Sequence, residues 1–322
     1  MTDRGRGAPS LLSRVTPSRA TALRLPPGLM RLGVRQVGRR VLDPCLTWEV
    51  QRRRLDQVAR AMPVPRGTNV TGRVLNGVPT EVVTADGVRP ERTVLHLHGG
   101  GYCIGSPSMM RTWAAHLSAQ AACRVVVPKY RLAPAHPHPA CLDDARAVMD
   151  ALLGEGPSAS IVVSGDSAGG GLALSFVLAL RDTGEGLPAG CMLASPWLDL
   201  SRDRRAVPGL VRRELMLSPG WLEACAFAYA PRADWAAPSV SPLLAGHGGL
   251  PPLLIQAGSD ELLAPDAERL AASASAAGVD VTYTRWPGMW HDFVLQPGLV
   301  AAADSAVAQA AWFVETVTAA RS

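Results

Sequence analysis

One stretch near the middle of the chain decides the fold. It joins a β-rich run to a glycine-rich turn and reads Ile161-Val162-Val163-Ser164-Gly165-Asp166-Ser167-Ala168-Gly169-Gly170-Gly171. The next residues, Leu172 to Arg181, are mostly apolar and predict a helix. Gly-x-Ser-x-Gly is a weak pattern by itself, but between a strand and a helix it predicts a nucleophile elbow. Ser167 would then stand above a sheet on a strained turn, and its small neighbours would let helix and strand approach closely.

Outward from this turn, short β-rich runs alternate with helical runs. The β-rich runs predict strands at Thr93–His98, Arg124–Pro128, Ser160–Ser164, Met192–Ser195, Leu253–Ala257 and Val281–Trp286. The helical runs are Met110–Ala121, Pro139–Leu153, Leu172–Arg181, Pro265–Ala277 and Gly298–Ala319. This alternation is typical of the α/β class, with an open, mostly parallel sheet covered by helices on both faces.

Two parts of the chain depart from the alternation. Residues 1 to about 25 show no periodicity, which predicts a loose tail. Between Pro27 and Met62 apolar residues recur at helical spacing, and Pro44 divides this run into two amphipathic helices. Residues 201–237 contain Arg, Pro and Trp with only a short helical pattern, so we interpret them as an insertion over the sheet.

A serine nucleophile needs a base, and the base needs an acid that holds it in the right tautomer. In chain order the acid follows the serine and the histidine comes last. Asp260 comes three residues after the predicted strand Leu253–Ala257 and is our candidate acid because it stands closest to the strand end, with Glu261 and Asp266 as alternatives. His291 is the only histidine after both Ser167 and Asp260, so chain order leaves it without a competitor.

An early glycine run supplies candidate donors for the oxyanion that forms when an ester carbonyl is attacked. His98-Gly99-Gly100-Gly101-Tyr102 ends a predicted strand upstream of the elbow. Preorganised backbone N–H groups at such a position stabilise the developing negative charge. We predict an oxyanion hole formed by the N–H groups of Gly100, Gly101 and Ala168, with Gly99 shaping the turn.

At this point the chain resembles the bacterial hormone-sensitive-lipase-like esterases. The resemblance is carried, in the family's order, by His98 to Tyr102, Tyr130 to Pro134 with His136, Pro137, Pro139 and Ala140, Gly165 to Gly169, Ser195 to Trp197 with Asp199, and Gly288 to Phe293. It implies an α/β-hydrolase fold with an eight-stranded sheet, no cofactor or metal, and hydrolysis of short- to medium-chain esters. It also implies the same triad, Ser167, Asp260 and His291, and the same oxyanion donors.

The resemblance further implies a division of the chain. The core would comprise residues 67–200 and 238–322, while residues 1–66, after their tail, and the insertion at 201–237 would form a helical cap. Two positions depart from the family pattern: Ala135 replaces the usual Glu, and His138 stands where an aromatic residue is common. Both lie outside the predicted triad, so we expect changes in local stability or pocket shape and no loss of chemistry.

The composition and charge of the chain limit which partners it can bind and in which cellular compartment we expect it. The net charge of +5 is concentrated in residues 1–66, which hold 14 arginines against four acidic residues. This stretch has no nucleic-acid-reading motif, so it predicts a solvated face and leaves open weak contact with an anionic membrane surface. The six cysteines lack metal-ligand spacing and are expected to be buried free thiols. Without a secretory signal core, the cytoplasm is the expected compartment, and a homodimer remains open.

Other functions fit part of the same pattern. An identical triad could act on an amide, a lactone or an acyl acceptor other than water. A receptor that kept the hydrolase fold would bind a ligand without turnover, but such receptors tend to lose a triad member, most often the histidine. Because all the expected members are present, the sequence argues against a receptor. We expect a small-molecule ester as the substrate, with the other reactions of the same triad as alternatives.

Overall fold

The computed structural model describes residues 26–319 and contains a sheet of eight strands. In chain order the strands are β1 (Thr68–Leu75), β2 (Val78–Ala85), β3 (Arg92–Leu97), β4 (Cys123–Pro128), β5 (Ile161–Asp166), β6 (Gly190–Ala194), β7 (Leu253–Gly258) and β8 (Val281–Trp286). Their order in the sheet is β1-β2-β4-β3-β5-β6-β7-β8. Only β1 with β2 and β2 with β4 pair antiparallel, and all later neighbours are parallel.

Helices cover both faces of this sheet. They are α1 (Pro27–Val41), α2 (Trp48–Ala61), α3 (Arg111–Ala121), α4 (Ala140–Leu153), α5 (Ser167–Thr183), α6 (Pro208–Arg213), α7 (Pro219–Tyr229), α8 (Ala264–Ala276) and α9 (Ala301–Ala319). No helix within residues 26–319 has the length and apolarity that crossing a membrane requires.

The central strands are apolar on both faces because each face packs against helices. Val94 and Val162 belong to a core cluster with α3 and α9, whereas their neighbours Leu95 and Val163 point to the opposite face and pack with α4, α5 and α8. Successive side chains of a strand alternate between the two faces, so a strand buried on both sides reads as a continuous apolar run. The predicted α/β fold with a mostly parallel eight-stranded sheet is confirmed.

The differences from the predicted elements are local. The strands β1 and β2 were not among the predicted runs, and residues 69–74 of β1 are exposed, so no buried apolar pattern marks that strand. Helix α5 begins at Ser167 and not at Leu172, because Ala168 and the three following glycines are already helical. The predicted break at Pro44 is confirmed, since α1 ends at Val41 and α2 begins at Trp48.

The N-terminal helices and the insertion contact each other and the core. Gln51 of α2 is fully buried and accepts a hydrogen bond from Trp221 Nε1 of α7 (2.8 Å). Arg52, the next residue, donates to the carbonyl oxygens of Cys103 (2.8 Å) and Ala133 (2.9 Å) in the core. The division into core and cap remains a prediction, and the predicted tail at residues 1–25 lies outside the described residues.

Gln51 allows a direct test of the contact between these two segments. We expect Gln51→Ala to lower the free energy of unfolding by roughly 1–3 kcal/mol, because it leaves the buried Trp221 N–H without an acceptor. It also removes the Gln51 Nε2 hydrogen bonds to the carbonyls of Asp43 and Leu46. Urea denaturation followed by circular dichroism measures the change. Gln36→Ala, at an exposed position of α1, is the control, and equal destabilisation by both variants would refute the role given to Gln51.

Candidate active site

Ser167 lies on the turn between β5 and α5. Its φ of +51° is in the left-handed region, which is strained for a residue with a Cβ and is common at functional turns. The turn is close-packed: a Cβ at Gly165 would collide with the carbonyl of Gly169, and one at Gly169 would collide with the carbonyls of Leu97 and His98. The geometry is that of the predicted elbow, with the serine at the start of a 17-residue helix.

Asp166 ties this turn to the glycine loop at the end of β3. Its Oδ1 accepts the N–H of Gly99 (2.9 Å) and lies 3.0 Å from His96 Nε2. The two loops are neighbours because β3 and β5 pair in parallel, with Leu97 opposite Gly165. Asp166 is completely buried, so this hydrogen bond fixes the distance between the elbow and the glycine loop. No role was predicted for Asp166 from the sequence.

Tyr130 and His98 hold the other side of the glycine loop. Tyr130 donates its hydroxyl to the carbonyl of His98 (2.6 Å), and the two rings stack with centroids 4.3 Å apart. His98 Nδ1 donates to the carbonyl of Gly99 (2.9 Å). Burial lowers the pKa of His98 to about 4, so the imidazole is neutral near pH 7. His98 is therefore a neutral hydrogen-bond donor that orders the loop.

The backbone N–H groups of the predicted oxyanion hole differ in their availability. Gly99 already donates to Asp166, consistent with its predicted part in shaping the turn. The N–H groups of Gly100, Gly101 and Ala168 take part in none of the hydrogen bonds found within residues 26–319. Gly100 and Gly101 have φ values of +119° and +61°, which glycine adopts without strain.

Helix α7 lies directly against this loop. A Cβ at Gly101 would come within 2.8 Å of Trp221 Cη2 and 2.5 Å of Cys225 Sγ. At its C-terminal end Tyr229 stacks on Tyr102, with ring centroids 3.8 Å apart. Ser167 itself is only 4% exposed.

His291 connects Ser167 to a carboxylate. Its Nε2 lies 3.0 Å from Ser167 Oγ, and its Nδ1 lies 2.8 Å from Glu261 Oε2. In the neutral ring Nδ1 donates to the carboxylate, which leaves the Nε2 lone pair facing the serine hydroxyl. The structure brings Ser167 and His291 together as predicted, but it places Glu261, and not Asp260, beside the histidine.

The prediction of Asp260 as the partner of His291 is therefore corrected. Glu261 Oε1 accepts the N–H of Gly258 (2.8 Å), so the longer side chain folds back beneath the end of β7. The shorter Asp260 side chain points away from His291 and forms ion pairs with Arg31 of α1 (3.2 Å) and Arg213 of α6 (3.9 Å). Two adjacent acids after a strand satisfy chain order equally well, and their side-chain directions are set by the loop. Asp266, the other alternative, pairs with Arg204 and not with the histidine.

A second carboxylate faces the same edge of the histidine as the serine. Asp292 Oδ2 lies 3.2 Å from His291 Nε2, and the Asp292 side chain is only 14% exposed. Burial raises the pKa of Asp292 to about 7, and the negative charge of Asp166 adds to the rise. From the sequence, Asp292 was recognised only as part of a motif, because no spacing rule places its carboxylate near the histidine.

Burial and the carboxylates of Asp292 and Glu261 shift the pKa of His291 in opposite directions. Burial by itself would lower the pKa of His291, but Asp292 and Glu261 outweigh it and raise the pKa well above 6.5. Burial also raises the pKa of Glu261, opposed by its hydrogen bonds with His291 and with the hydroxyl of Ser195.

Among the described residues, no three His, Cys, Asp or Glu side chains cluster as metal ligands would.

The cysteines agree with expectation at five positions. Cys103, Cys123, Cys141, Cys191 and Cys225 are buried free thiols, whereas Cys45 is exposed, so the expectation was wrong there. Cys103 next to the glycine loop is packed and has no exposed surface.

Comparison with known proteins identifies the class to which this fold and site belong. Residues 94–295 match a family described as having the alpha/beta hydrolase fold. A solved esterase from the bacterial hormone-sensitive lipase family superposes with a TM-score of 0.86 at 34% identity, covering 92% of this chain and 99% of that one.

Two curated relatives of this chain are named as ester-hydrolysing enzymes. An acetyl-hydrolase of Streptomyces hygroscopicus is 41% identical over 65% of this chain and 71% of its own length. An esterase of Acinetobacter venetianus is 33% identical over 80% of this chain and 86% of its own length. The chain belongs to the bacterial hormone-sensitive-lipase-like esterases of the α/β-hydrolase fold, and by class it is a carboxylic ester hydrolase.

Replacement of Asp292 tests the electrostatics at His291. We expect Asp292→Asn to lower the pKa of His291, because the substitution keeps the shape of the side chain but removes a negative charge 3.2 Å from Nε2. The imidazole would then lose its proton at lower pH than in the wild type. Nuclear magnetic resonance titration of the histidine rings measures this, with Asp280→Asn at an exposed position as the control. An unchanged or higher pKa for His291 in Asp292→Asn would contradict the argument.

Proposed function

We propose that the chain is a serine carboxylesterase that hydrolyses short- to medium-chain acyl esters through an acyl-enzyme on Ser167. The observation that supports this most strongly is the buried chain of contacts from Ser167 Oγ through His291 to Glu261, with distances of 3.0 and 2.8 Å. In this proposal Ser167 is the nucleophile, His291 is the general base and Glu261 is the acid. Ser195 and Gly258 support Glu261, and Asp292 adjusts the basicity of His291.

The first half of the reaction forms the acyl-enzyme. As Ser167 Oγ attacks the ester carbonyl, its proton passes to His291 Nε2, and the resulting imidazolium is stabilised by Glu261 through Nδ1. The carbonyl oxygen becomes negative and accepts hydrogen bonds from the N–H groups of Gly100, Gly101 and Ala168. His291 then returns the proton to the departing alcohol. In the second half, water takes the place of the alcohol, His291 accepts its proton, and the carboxylic acid is released.

The preorganised donors supply a large part of the stabilisation. Loss of a single oxyanion donor typically reduces kcat by roughly 10²–10³-fold. Here two donors lie on the glycine loop and the third on the first turn of α5, where the helix dipole also favours negative charge. Asp166 fixes the distance between these two groups of donors, since it is bonded to Gly99 and directly precedes Ser167.

The surroundings of the loop favour the shorter acyl chains within this range. Trp221 and Cys225 fill the space beside Gly101, so α7 restricts the substrate on that side. One relative is named an acetyl-hydrolase, which agrees with a small acyl group. We therefore expect acetyl and butyryl esters to be better substrates than long-chain esters.

Hydrolysis of a p-nitrophenyl ester series from acetyl to palmitoyl tests the reaction class. We expect kcat/KM to be highest for the short and medium chains and to fall towards palmitoyl. In Ser167→Ala the kcat should drop by roughly 10⁴-fold or more, because the nucleophile is removed. If the wild type turns over no ester of the series, or if the variant matches it, amides, lactones and acyl transfer become the reactions to assay, followed by ligand binding without turnover.

Two neighbouring acids provide a matched test of the triad assignment. We expect Glu261→Gln to lower kcat by roughly 10³–10⁴-fold, because an amide can hold the wrong histidine tautomer and cannot stabilise the imidazolium. Asp260→Asn removes the same charge one residue away and should leave kcat within about tenfold of the wild type. The kcat for p-nitrophenyl acetate gives the result. A larger loss in Asp260→Asn than in Glu261→Gln would return the acid role to Asp260.

A further inference from the structure

A cavity lies beside the insertion and away from the proposed catalytic residues. Its volume is about 180 Å³, well above the roughly 10–15 Å³ that a single water molecule needs by the same kind of measure. The wall is formed mainly by residues 197–205, the first half of α7 and the segment around Trp235. Neither Ser167 nor His291 nor the glycine loop contributes to it.

Two buried N–H groups in the wall have no acceptor. Arg204 is 4% exposed, and while its two terminal nitrogens bind Asp266 and the carbonyl of Asp199, its Nε has no partner. Trp197 is 2% exposed, and its Nε1 is likewise without a partner among the described residues. Both nitrogens are themselves shielded from the cavity, so a ligand in the cavity would not bond to them directly.

The charge of the wall favours an anionic ligand. Four arginines line the cavity, against only Asp203 and Glu223, and both of these acids pair with Arg205. Arg202 forms no ion pair or hydrogen bond within residues 26–319. The Arg232 guanidinium lies 5.7 Å from the ring centroid of Phe227 and 5.2 Å from that of Trp235. Within the part of the chain that the structure describes, these two guanidinium groups have no carboxylate partner.

Apart from Ser201, the rest of the wall is apolar. Leu200, Pro219 and Leu222 lie beside the rings of Trp197 and Trp235. A cavity with cationic donors and apolar sides fits a ligand with an anionic head and a short hydrocarbon part. A planar carboxylate also matches the fork of N–H donors on a guanidinium group.

From these contacts we infer that the cavity is a binding site for a small carboxylate anion with a short apolar tail. This is the chemical class of the acid that the proposed esterase reaction releases, and that link alone rests on the proposed function. Binding itself requires no turnover. The cavity is connected to the active site through Trp197. This residue lines the cavity, and its backbone N–H donates to the carbonyl of Ser167 (2.9 Å).

Calorimetric titration with sodium butyrate at fixed ionic strength tests the inference. The titrated protein is Ser167→Ala, so that the result does not depend on hydrolysis. We expect one butyrate to bind per chain, and Arg202→Gln with Arg232→Gln in the same background to weaken binding roughly tenfold or more. The control is Arg35→Gln with Arg39→Gln, which removes the same charge from exposed positions on α1 and should change the affinity less than twofold.

The other outcomes overturn the inference. The absence of butyrate binding would reject the inference, and binding of inorganic phosphate without butyrate would show that the cavity is not a carboxylate site. Equal affinity in the arginine double variant would show that butyrate binds elsewhere on the protein. Trp197→Phe provides a second variant, because it shortens the aromatic wall of the cavity without removing a charge, and it should also weaken binding.

A parallel assay separates this inference from the proposed function. In the background that retains Ser167, Arg202→Gln with Arg232→Gln should hydrolyse p-nitrophenyl acetate within about threefold of the wild-type rate, since neither arginine touches the triad. Loss of butyrate binding with hydrolysis intact supports the cavity alone. Failure of all ester hydrolysis with butyrate binding intact would leave the cavity standing and reject the esterase reaction.

Discussion

The hydrogen bond from Gly99 N–H to Asp166 is the contact on which the site depends. It joins the turn after β3 to the turn after β5, and these turns carry the proposed oxyanion donors and the serine. A reaction that stabilises charge with fixed dipoles requires those dipoles to be placed to a fraction of an ångström. A buried carboxylate with short, directed hydrogen bonds meets this requirement. The absence of a side chain at Gly165 and Gly169 allows the turns to approach this closely.

A second level of support lies outside the strands. Tyr130 holds the carbonyl of His98, and Tyr229 from α7 stacks on Tyr102. Arg52 from α2 binds the carbonyl of Cys103 in the same loop. The loop is therefore fixed from the core and from both covering segments. Its order depends on helices far apart in sequence, so changes in those helices can affect the chemistry without touching substrate.

The sequence was sufficient for the elbow, the glycine loop and the order of the triad because these depend on local patterns. Ser167 is marked by its small neighbours, and His291 by being the last histidine of the chain. Local patterns did not identify the carboxylate that pairs with His291. Asp260 and Glu261 are adjacent, and only the three-dimensional loop shows that Glu261 folds back to Gly258 while Asp260 turns to Arg31. The proximity of Asp292 to Nε2 is likewise a product of the turn, where Asp292 has a φ of +55°. β1 escaped notice because its exposed side chains give no apolar alternation.

The enclosure of Ser167 has a kinetic consequence. Ser167 is 4% exposed, and α7 packs against the glycine loop. A reagent that approaches from the side of α7 has to wait until this helix separates from the loop. Where that separation is slow, small and bulky serine-directed inhibitors would inactivate the enzyme at one shared ceiling rate, set by the opening of the protein and not by the reactivity of the inhibitor.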